Sequence, residues 1–284
     1  KYLRLLKEMR IELFPPDINH SEGLFIPEKH GIRYGLACIK NVGRNVVDAI
    51  VKEREANGPF SDFGEFVRRV NSDALNRRMI ESLIKGGVFD CFGHNRATLM
   101  ANYDKILSIE TSNKELIGGG QIFFDFMLDN KYEYVPVAES KLERLKLEKE
   151  VLGRYVTGHP LEDHEEEFAK FSFNTTLLAP IEDEEAEPEY DDDGNPVMHY
   201  KYQVKDGDQV LFGGIISDIT IKVNKNNKKW GYAIVEDFYG STEVTFFSNV
   251  LQRYKDLLQE DKLVKIRAKI SISGDRGVPK LEIQ

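Results

Sequence analysis

Apolar residues recur at helical spacing along most of the first half of the chain, from about residue 33 to residue 108. One stretch places Phe63, Phe66 and Val70 at positions i, i+3 and i+7, which lie on one face of an amphipathic helix. Glycines and N-capping side chains separate successive stretches of this kind. The pattern predicts a compact bundle of about four or five short helices, preceded by a short β-hairpin over residues 24–34.

Alternating apolar positions replace the helical spacing from Asp208 onward, and alternation is typical of half-buried strands. The first predicted strand is long and bends at Gly213 and Gly214, and a short helix separates the third strand from the fourth. Three strands, a helix and two more strands within about 77 residues is the element order of an OB-fold barrel. The predicted fold class is therefore multi-domain α+β, with a small helical bundle followed by a five-stranded all-β barrel. The predicted barrel elements are strands 210–223, 232–236, 243–247, 263–272 and 279–283, with the helix at 250–258.

The distribution of charge along the chain bears on which partners the folded parts can bind. The chain has 284 residues and a net charge of −9, which by itself argues against a nucleic-acid partner. Nine carboxylates and no Lys or Arg lie between Glu182 and Asp193, and without them the acids and bases balance at 39 each. The folded remainder can therefore carry local basic surfaces, whereas the acidic stretch is expected to be a solvated linker.

Several protein classes are excluded at this stage. No run of 18 apolar residues is present, so no membrane span and no membrane partner are expected. Two cysteines, Cys38 and Cys91, rule out a disulfide scaffold and supply no zinc ligand pair. The sequence starts at Lys1 inside a helical pattern and shows no signal peptide, which favours a piece of a longer cytoplasmic protein.

Residues 36–50 contain two short amphipathic stretches joined at Asn41-Val42-Gly43, which is typical of a helix-hairpin-helix. Gly43 gives the backbone freedom, and Asn41 tolerates a positive φ angle. Free N–H groups at the start of the second helix suit a phosphate, and two cations stand beside them. Such a contact with duplex DNA is blind to base sequence, and an ordinary helical turn is the alternative. The predicted contact residues are Lys40, Asn41, Val42, Gly43 and Arg44.

A second, degenerate copy of this motif is predicted at Gly86-Gly87, with Lys85 beside it and Arg96 entering the next helix. These four residues complete the predicted duplex-binding set. A plain glycine cap at the end of a helix explains the same letters equally well.

A short aromatic segment follows the flexible run Gly118–Gly120. Clustered rings that cannot bury themselves locally usually form a docking peptide, in which the rings enter a pocket and the glutamine amide bonds to backbone. A core strand of this chain is the alternative. The residues of the predicted docking peptide are Gln121, Ile122, Phe123, Phe124 and Phe126.

Aromatic rings and lysines interleave on the predicted barrel, as they do on surfaces that hold single strands. Stacking contributes about 1–3 kcal/mol per base, and lysines follow the phosphate backbone. The alternatives are that many of the rings belong to the barrel core and that the lysine loop is only a solvated turn. The predicted single-strand contacts are Lys222, Lys225, Lys228, Lys229, Trp230, Tyr232 and Tyr239.

Signals for catalysis are poor. Asp206-Gly207-Asp208 resembles a paired-carboxylate metal site, but a two-metal centre needs both groups held rigidly, and these lie in a glycine turn. Asp191 to Asn195 lacks the spaced glutamate that closes an EF-hand loop. No histidine or cysteine set has ligand spacing, so no catalytic residue, metal or cofactor is assigned.

Several short stretches, spread over nearly the whole chain outside the acidic linker, are specific only as a set: 14–19, 32–36, 39–43, 76–78, 83–90, 95–97, 148–153, 158–161 and 213–215. In this order they resemble the C-terminal half of the bacterial replicative DNA polymerase III alpha subunit.

This resemblance implies a role for each segment. It gives 1–31 as the end of the fingers region, 32–110 as a tandem helix-hairpin-helix domain, 111–180 as the clamp-binding segment with connecting helices, 181–207 as the acidic linker and 208–284 as the OB-fold. The Gln121 segment would be the internal sliding-clamp-binding motif, with Gln121, Phe124 and Phe126 as anchors. It departs from the usual Gln, apolar, small or acidic, Leu, Phe pattern, which leaves its register open.

The resemblance also sets expectations for activity and partners. The parent would be a DNA-directed DNA polymerase, a nucleotidyltransferase whose magnesium sits in a palm domain outside this sequence, so the fragment alone is not expected to synthesise DNA. Expected partners are double-stranded and single-stranded DNA and the sliding clamp, with clamp-loader and proofreading subunits as further candidates, in the bacterial cytoplasm at the nucleoid. The alternatives are a DNA-repair accessory protein, a scaffold that binds only proteins, and an error-prone paralogue of the polymerase.

Overall fold

A computed structural model describes residues 9–70, 75–118, 132–182, 189–190, 196–197, 200–272 and 278–284. The chain divides into two compact units, Lys1–His159 and Pro160–Gln284. No helix among the described residues is long and apolar enough to cross a membrane.

The first unit opens with a three-stranded sheet in the order β1-β3-β2, and β2 and β3 form the predicted hairpin. A single 3-10 turn at Leu36–Cys38 then stands where the sequence predicted a first short helix. The strands are β1 (Glu12–Phe14), β2 (Ile26–Glu28) and β3 (Gly31–Arg33), and the helices are α1 (Arg44–Asn57), α2 (Phe63–Arg69), α3 (Arg77–Lys85), α4 (Arg96–Gly118) and α5 (Lys141–Leu152).

Side-chain caps fix the ends of these helices where the sequence places them. The Asn76 side chain accepts a hydrogen bond from the Met79 N–H at 2.9 Å, which caps α3. Ser140 and Glu143 form a capping box at the start of α5, and Gly153 ends that helix with φ 72°. The local chemistry of the caps therefore determines helix boundaries that packing then stabilises.

Aromatic rings fill the core of the first unit. The Phe89 ring lies 5.0 Å from the Phe63 ring and 4.9 Å from the Phe66 ring, measured between centroids, and all three side chains are fully buried. All five helices and the chain between them contribute buried apolar side chains to this core. This core holds the N-terminus of α1 and the first turn of α3 on the surface, where the site lies.

Helix α4 continues to Gly118, although helical periodicity in the sequence fades near residue 109. The extended segment 132–139, which we call the strap, runs back along this helix. Asn102 makes reciprocal hydrogen bonds of 2.9 and 3.0 Å with the Val135 carbonyl and N–H. Nearer the start of α4, Thr98 accepts from the Val137 N–H at 3.0 Å. Polar side chains on α4 thus hold a chain that has little regular structure of its own.

The second unit contains a closed five-stranded barrel with strand order β6-β8-β7-β4-β5, as predicted. Short helical turns and α6 (Glu165–Phe168) precede it, and a two-residue ladder pairs Ile181–Glu182 with Tyr200–Lys201. Another two-residue ladder pairs Glu189–Tyr190 with Pro196–Val197. The barrel elements are β4 (Gln209–Val223), β5 (Lys229–Glu236), β6 (Ser241–Phe246), α7 (Ser248–Arg253), β7 (Leu263–Ser271) and β8 (Lys280–Ile283).

The second unit begins before the boundary at residue 208 that the sequence suggested. Phe173 and Val204 are buried in the barrel core, and the rings of Phe173 and Phe212 lie 5.5 Å apart. Apolar side chains on both sides of the acidic stretch therefore belong to the barrel, and the ends of that stretch are anchored to it. The division at His159 and Pro160 falls inside the stretch for which we predicted connecting helices.

Candidate nucleic-acid interface

The bend between the 3-10 turn and α1 has the backbone that a phosphate-binding hairpin needs. Asn41 adopts φ 66°, a left-handed conformation that asparagine tolerates better than most residues. Val42 is buried and anchors the bend, whereas Gly43, Arg44 and Asn45 are exposed. Within the described residues, the N–H groups of these three have no acceptor, as expected for the first turn of a helix.

Two hydrogen bonds hold this bend in place. The Asn41 amide donates to the Ser82 hydroxyl at 3.0 Å, and that hydroxyl donates to the Arg78 carbonyl at 2.9 Å. On the other side, the Lys40 N–H donates to the Val151 carbonyl at 2.9 Å. The bend is therefore fixed between Ser82 of α3 and the end of α5, with its amides on the outside.

Two exposed cations lie in the bend, and two more, which the sequence did not indicate, lie on the elements that are hydrogen-bonded to it. Lys40 and Arg44 are exposed, as are Arg78 on the first turn of α3 and Arg154 just after α5. The Ser82 bond brings Arg78 close, and the Val151 bond brings the end of α5 close, near Arg154. Arg78 and Arg154 could be found only from the tertiary structure, because no spacing in the sequence relates them to Lys40.

The four cations form no ion pair with the described part of the chain. Elsewhere in the unit, arginines pair with carboxylates, for example Arg33 with Glu28 at 2.7 Å and Arg54 with Glu22 at 2.5 Å. Among the described residues, no carboxylate oxygen lies within 4.0 Å of the four cations at the bend. Arg44 also lies near the Cys38 thiol, whose pKa is raised by burial against the opposing effect of that cation.

The second predicted hairpin is a helix end with closed amides, which corrects that part of the prediction. The Gly86 and Gly87 N–H groups donate to the Ser82 and Ile84 carbonyls, both at 3.0 Å, and both glycines are buried. Gly87 has φ 82°, which allows this tight cap. The alternative stated from the sequence, a plain glycine cap, is what the structure contains.

Arg96 and Lys85 are also engaged inside the protein. The Arg96 side chain is 1% exposed and lies 2.8 Å from Asp90 and 3.1 Å from Glu148, joined by guanidinium–carboxylate hydrogen bonds. Lys85 pairs with Glu150 at 2.9 Å. Because a buried, doubly paired guanidinium cannot reach a phosphate without losing these partners, we do not carry the second hairpin into the proposed site.

The predicted docking peptide, Gln121, Ile122, Phe123, Phe124 and Phe126, lies outside the described residues. The described chain on either side of it is anchored, since α4 leads to Gly118 and the strap begins at Tyr132. The Tyr132 hydroxyl donates to the buried Glu110 carboxylate, which raises the pKa of Tyr132 together with burial. The start of the strap, just after the predicted docking peptide in the sequence, is thereby tied to α4.

On the barrel, the structure brings Lys222, Trp230 and Tyr232 together on the outer face of the β4–β5 hairpin. Lys222 is opposite Trp230 in the strand register, and Thr220 is opposite Tyr232. The Lys222 ammonium lies 5.5 Å from the Trp230 ring centroid and 5.0 Å from the Tyr232 centroid. Both rings are partly exposed, while Gly231 and Ala233 between and beside them face the core.

The loop at the tip of this hairpin presents the other predicted lysines. Lys225, Lys228 and Lys229 are all exposed. The Asn224 carboxamide accepts from the Asn226 and Lys228 N–H groups at 3.0 and 2.9 Å, which holds the loop in a tight turn. A short, ordered cationic loop therefore extends from the edge of the ring pair.

Tyr239 does not join this cluster. It lies past the opposite end of β5, about 20 Å along the strand from Trp230. Phe247, which the sequence analysis did not include, directly follows Phe246, the residue opposite Gly231, and its ring is 47% exposed. Alternation from the buried Phe246 places Phe247 on the Trp230 side, and this signal was available in the strand pattern.

No group of three or more His, Cys, Asp or Glu side chains is placed to hold a metal ion in the part of the chain that the structure describes. The chemistry available at both surfaces is therefore recognition by backbone amides, fixed cations and aromatic faces.

Comparison with known protein families assigns both units. Residues 10–99 match the family described as helix-hairpin-helix motif, and residues 210–284 match the family described as OB-fold nucleic acid binding domain. These matches confirm the fold class expected from the sequence. Among solved structures, a replication factor A related protein from Methanobacterium thermoautotrophicum shows 15% identity over 29% of this chain and 78% of its own, with a TM-score of 0.24. A likeness this partial has no bearing on function.

Relatives match almost the whole chain. DNA polymerase III subunit alpha of Borreliella burgdorferi is 31% identical over 97% of this chain, and that of Mycobacterium leprae is 33% identical over 97%. The chain spans only 23% and 22% of the length of these two proteins. The resemblance first seen in scattered motifs is confirmed: over nearly its whole length, this chain is related to a part of DNA polymerase III subunit alpha.

Proposed function

We propose that this chain is the DNA-holding part of a replicative polymerase, which grips duplex DNA, receives single-stranded template and tethers the enzyme to a sliding clamp. The observation that carries the proposal is the bend at Asn41, where helix-terminal amides and the cations Lys40 and Arg44 are exposed and, within the described residues, the amides have no acceptor and the cations no carboxylate oxygen within 4.0 Å. Such a surface binds phosphates and ignores bases. Catalysis of nucleotidyl transfer, and the magnesium it uses, we place outside this chain.

The duplex site works through two phosphate contacts of different kinds. The Gly43, Arg44 and Asn45 N–H groups, together with the positive end of α1, receive a phosphate oxygen. The surrounding guanidinium and ammonium groups contact neighbouring phosphates and displace counterions, so affinity is expected to fall steeply with salt.

The duplex site is tested by Lys40→Glu combined with Arg44→Glu. We expect the affinity for a duplex without sequence preference to fall at least tenfold at low salt. The matched control is Lys29→Glu with Lys52→Glu, two exposed lysines away from the bend that change the net charge equally. Equal loss in both variants would reduce the site to a net-charge effect, and no loss in either would refute it.

For the barrel, we propose stacking of single-stranded bases on Trp230 and Tyr232, with Lys222, Lys225, Lys228 and Lys229 along the phosphates. Trp230 is the single tryptophan of the chain, so its fluorescence reports binding directly. We expect oligothymidylate to quench it in the intact protein, and Tyr232→Ala to weaken binding about tenfold, within the range of one lost stacking contact.

Tyr239→Ala is the control for this experiment, because Tyr239 is an aromatic residue of the same barrel that is more exposed than Tyr232 and lies outside the ring pair. It should leave oligonucleotide affinity unchanged. Unquenched Trp230 fluorescence at saturating oligonucleotide would exclude this face as the single-strand site.

For clamp tethering, we propose that Gln121, Phe124 and Phe126 enter a pocket on the clamp. The alanine triple variant should lose binding to an isolated sliding clamp while its affinity for duplex DNA stays unchanged. Retained clamp binding would rule out this peptide. Contacts with clamp-loader or proofreading subunits would be found by repeating the measurement with those proteins.

Two rival functions use the same modules. A repair accessory protein would bind both DNA forms but no replicative clamp, so the clamp assay separates it. A scaffold that binds only proteins would retain neither single- nor double-stranded DNA in a filter-binding assay.

A further inference from the structure

A row of cations runs along the outer face of β7. Lys265, Arg267 and Lys269 are exposed and alternate with buried residues that face the barrel core. On the neighbouring strand, Lys280 is exposed and lies opposite Ser271, the next outward position of β7. We call Lys265, Arg267, Lys269 and Lys280 the β7 stripe.

The stripe is poorly neutralised by its neighbours. Across the β4 side, the residues opposite Lys265, Arg267 and Lys269 are Gly213, Leu211 and Gln209, all uncharged. Across the β8 side, Glu282 is opposite Lys269. In the described part of the chain, none of the four cations has a carboxylate oxygen within 4.0 Å.

The strand register connects the stripe to the ring pair on the other side of the barrel. Tyr232 is opposite Thr245, Thr245 is opposite Glu282, and Glu282 is opposite Lys269. These positions form one row across β5, β6, β8 and β7, while the adjacent row of Ala233, Val244, Leu281 and Ile270 is buried. With strands about 4.8 Å apart, Lys269 lies about 14 Å from Tyr232 along the surface.

We propose that the β7 stripe is a second single-strand contact, which holds the phosphate backbone of a strand that continues past Trp230 and Tyr232. The inference rests on the proposed single-strand function of the barrel. Side chains two residues apart on one strand are about 6.8 Å apart, so each cation can meet its own phosphate along an extended strand.

The proposed path of the single strand along the β7 stripe ends at Lys265. The ammonium group there lies 5.1 Å from the Phe171 ring, and the Phe168 and Phe171 rings pack over Gly213 beside it. Helix α6, which supplies Phe168, also carries Glu165, Glu166 and Glu167, all exposed. These carboxylates repel phosphates, so the strand approaches from the Lys280 end.

The test compares oligothymidylates of about 6 and about 20 nucleotides, read by Trp230 fluorescence, because one OB-fold covers about 4–16 nucleotides. In Lys265→Gln, Arg267→Gln, Lys269→Gln, we expect the longer oligonucleotide to bind about tenfold more weakly, and its salt slope to become shallower by about 2. The short oligonucleotide should bind as before. The control, Lys205→Gln, Lys255→Gln, Lys262→Gln, removes three exposed charges elsewhere on the same unit and should change neither affinity.

Other outcomes overturn the inference in distinguishable ways. Equal weakening of both oligonucleotides, or of neither, would exclude a second contact at the stripe. If the triple glutamine variant of the β7 stripe loses binding to polyglutamate, used as a probe for acidic protein, but keeps its oligonucleotide affinity, the stripe is a site for an acidic protein instead. Failure of the proposed barrel function itself would show separately, as unchanged affinity for the short oligonucleotide in Tyr232→Ala.

Discussion

Single residues decide whether the surfaces of this chain are open or closed. Asn41 combines a positive φ angle with a side chain bonded to Ser82, so one residue both shapes the bend and fixes it to α3. Arg96 shows the opposite case, because its guanidinium is held between Asp90 and Glu148 inside the protein. Arg44 and Arg96 each begin a helix, but among the described residues only Arg96 has carboxylate oxygens within 4.0 Å, and Arg44 is exposed.

Substitution of Asn41 tests the importance of its backbone angle. Asn41→Val is expected to lower the free energy of unfolding by about 2–3 kcal/mol and to weaken duplex binding, since a β-branched residue is strained in the left-handed region by about 1–2 kcal/mol and the Ser82 bond, worth about 1 kcal/mol, is also lost. Asn41→Gly should keep the bend and most of the duplex affinity, losing about 1 kcal/mol with the Ser82 bond. Urea unfolding and duplex titration measure both. Asn45→Val, in ordinary helix, is the control, and equal effects of the valine and glycine variants would contradict the role of the angle.

Tyr134 gives a prediction for stability and its pH dependence. Its ring stacks on His94 at 3.9 Å, but its buried hydroxyl has no partner among the described residues. Burial raises the pKa of Tyr134 to about 12. The folded state holds the Tyr134 proton more tightly than the unfolded state does. The contribution of this protonation to the free energy of unfolding is therefore complete below about pH 10 and is lost as the pH rises towards 12.

Tyr134→Phe should therefore raise the free energy of unfolding by up to about 1–3 kcal/mol at neutral pH and reduce the alkaline loss. Tyr103→Phe is the contrast, because the Tyr103 hydroxyl donates to Glu81 at 2.6 Å and its removal should destabilise. Denaturant unfolding at pH 7 and pH 11 distinguishes the two. A destabilised Tyr134→Phe variant at pH 7 would show that the hydroxyl has a partner.

At the scale of elements, buried polar contacts add to the shared core in connecting α4 and α5. Glu148 on α5 is fully buried and accepts from Arg96, from the Thr157 N–H at 2.9 Å and from the Thr157 hydroxyl at 2.7 Å. This one carboxylate joins α5 to α4 and to the chain that leaves α5. The position of α5 matters for function because its last turn accepts the Lys40 N–H.

Removing the Arg96 cation from the Arg96–Glu148 pair should lower the free energy of unfolding strongly. Arg96→Gln is expected to cost about 3–5 kcal/mol of unfolding free energy, since it leaves the Glu148 charge buried without its ionic partner. Arg77→Gln is the matched control, because Arg77 and Asp104 form a largely exposed pair at 3.2 Å that should contribute less than about 1 kcal/mol. Thermal or urea unfolding gives both values, and similar costs for the two variants would contradict the importance of burial.

The sequence predicts elements better than it predicts surfaces. The barrel strands follow from alternation, and the α3 and α5 caps follow from Asn76 and Ser140. The letters of Gly86-Gly87, however, fit a hairpin and a helix cap equally, and only the tertiary position of their amides distinguishes the two. Arg78 and Arg154 could not be predicted as site residues because their approach to Lys40 depends on long-range hydrogen bonds.

At the scale of the whole molecule, the chain joins two units that have separate cores. Each proposed DNA contact is weak alone, and joining them raises the effective concentration of one for the other. Stretches 160–182 and 200–208 belong with the barrel, so a boundary placed at 208 would cut through its core packing.

We therefore expect a protein made of residues 160–284 to fold by itself, with the same urea midpoint for Trp230 fluorescence as in the full chain. Residues 208–284 alone, which lack Phe173 and Val204, should unfold at a lower urea concentration. Equal midpoints for the two truncated proteins would show that these residues add no stability to the barrel.

The strap has a mechanical consequence. Helix α4 ends at Gly118 and the strap begins at Tyr132, so the predicted docking peptide between them is attached to described structure on both sides rather than on one side as in a tail. If the peptide binds a sliding clamp as proposed, the two attachments restrain rotation of the clamp, and a pulling force is shared between α4 and the strap. Cutting the chain at one of the two attachments would leave a single connection, so the clamp would still be bound but its orientation would no longer be restrained.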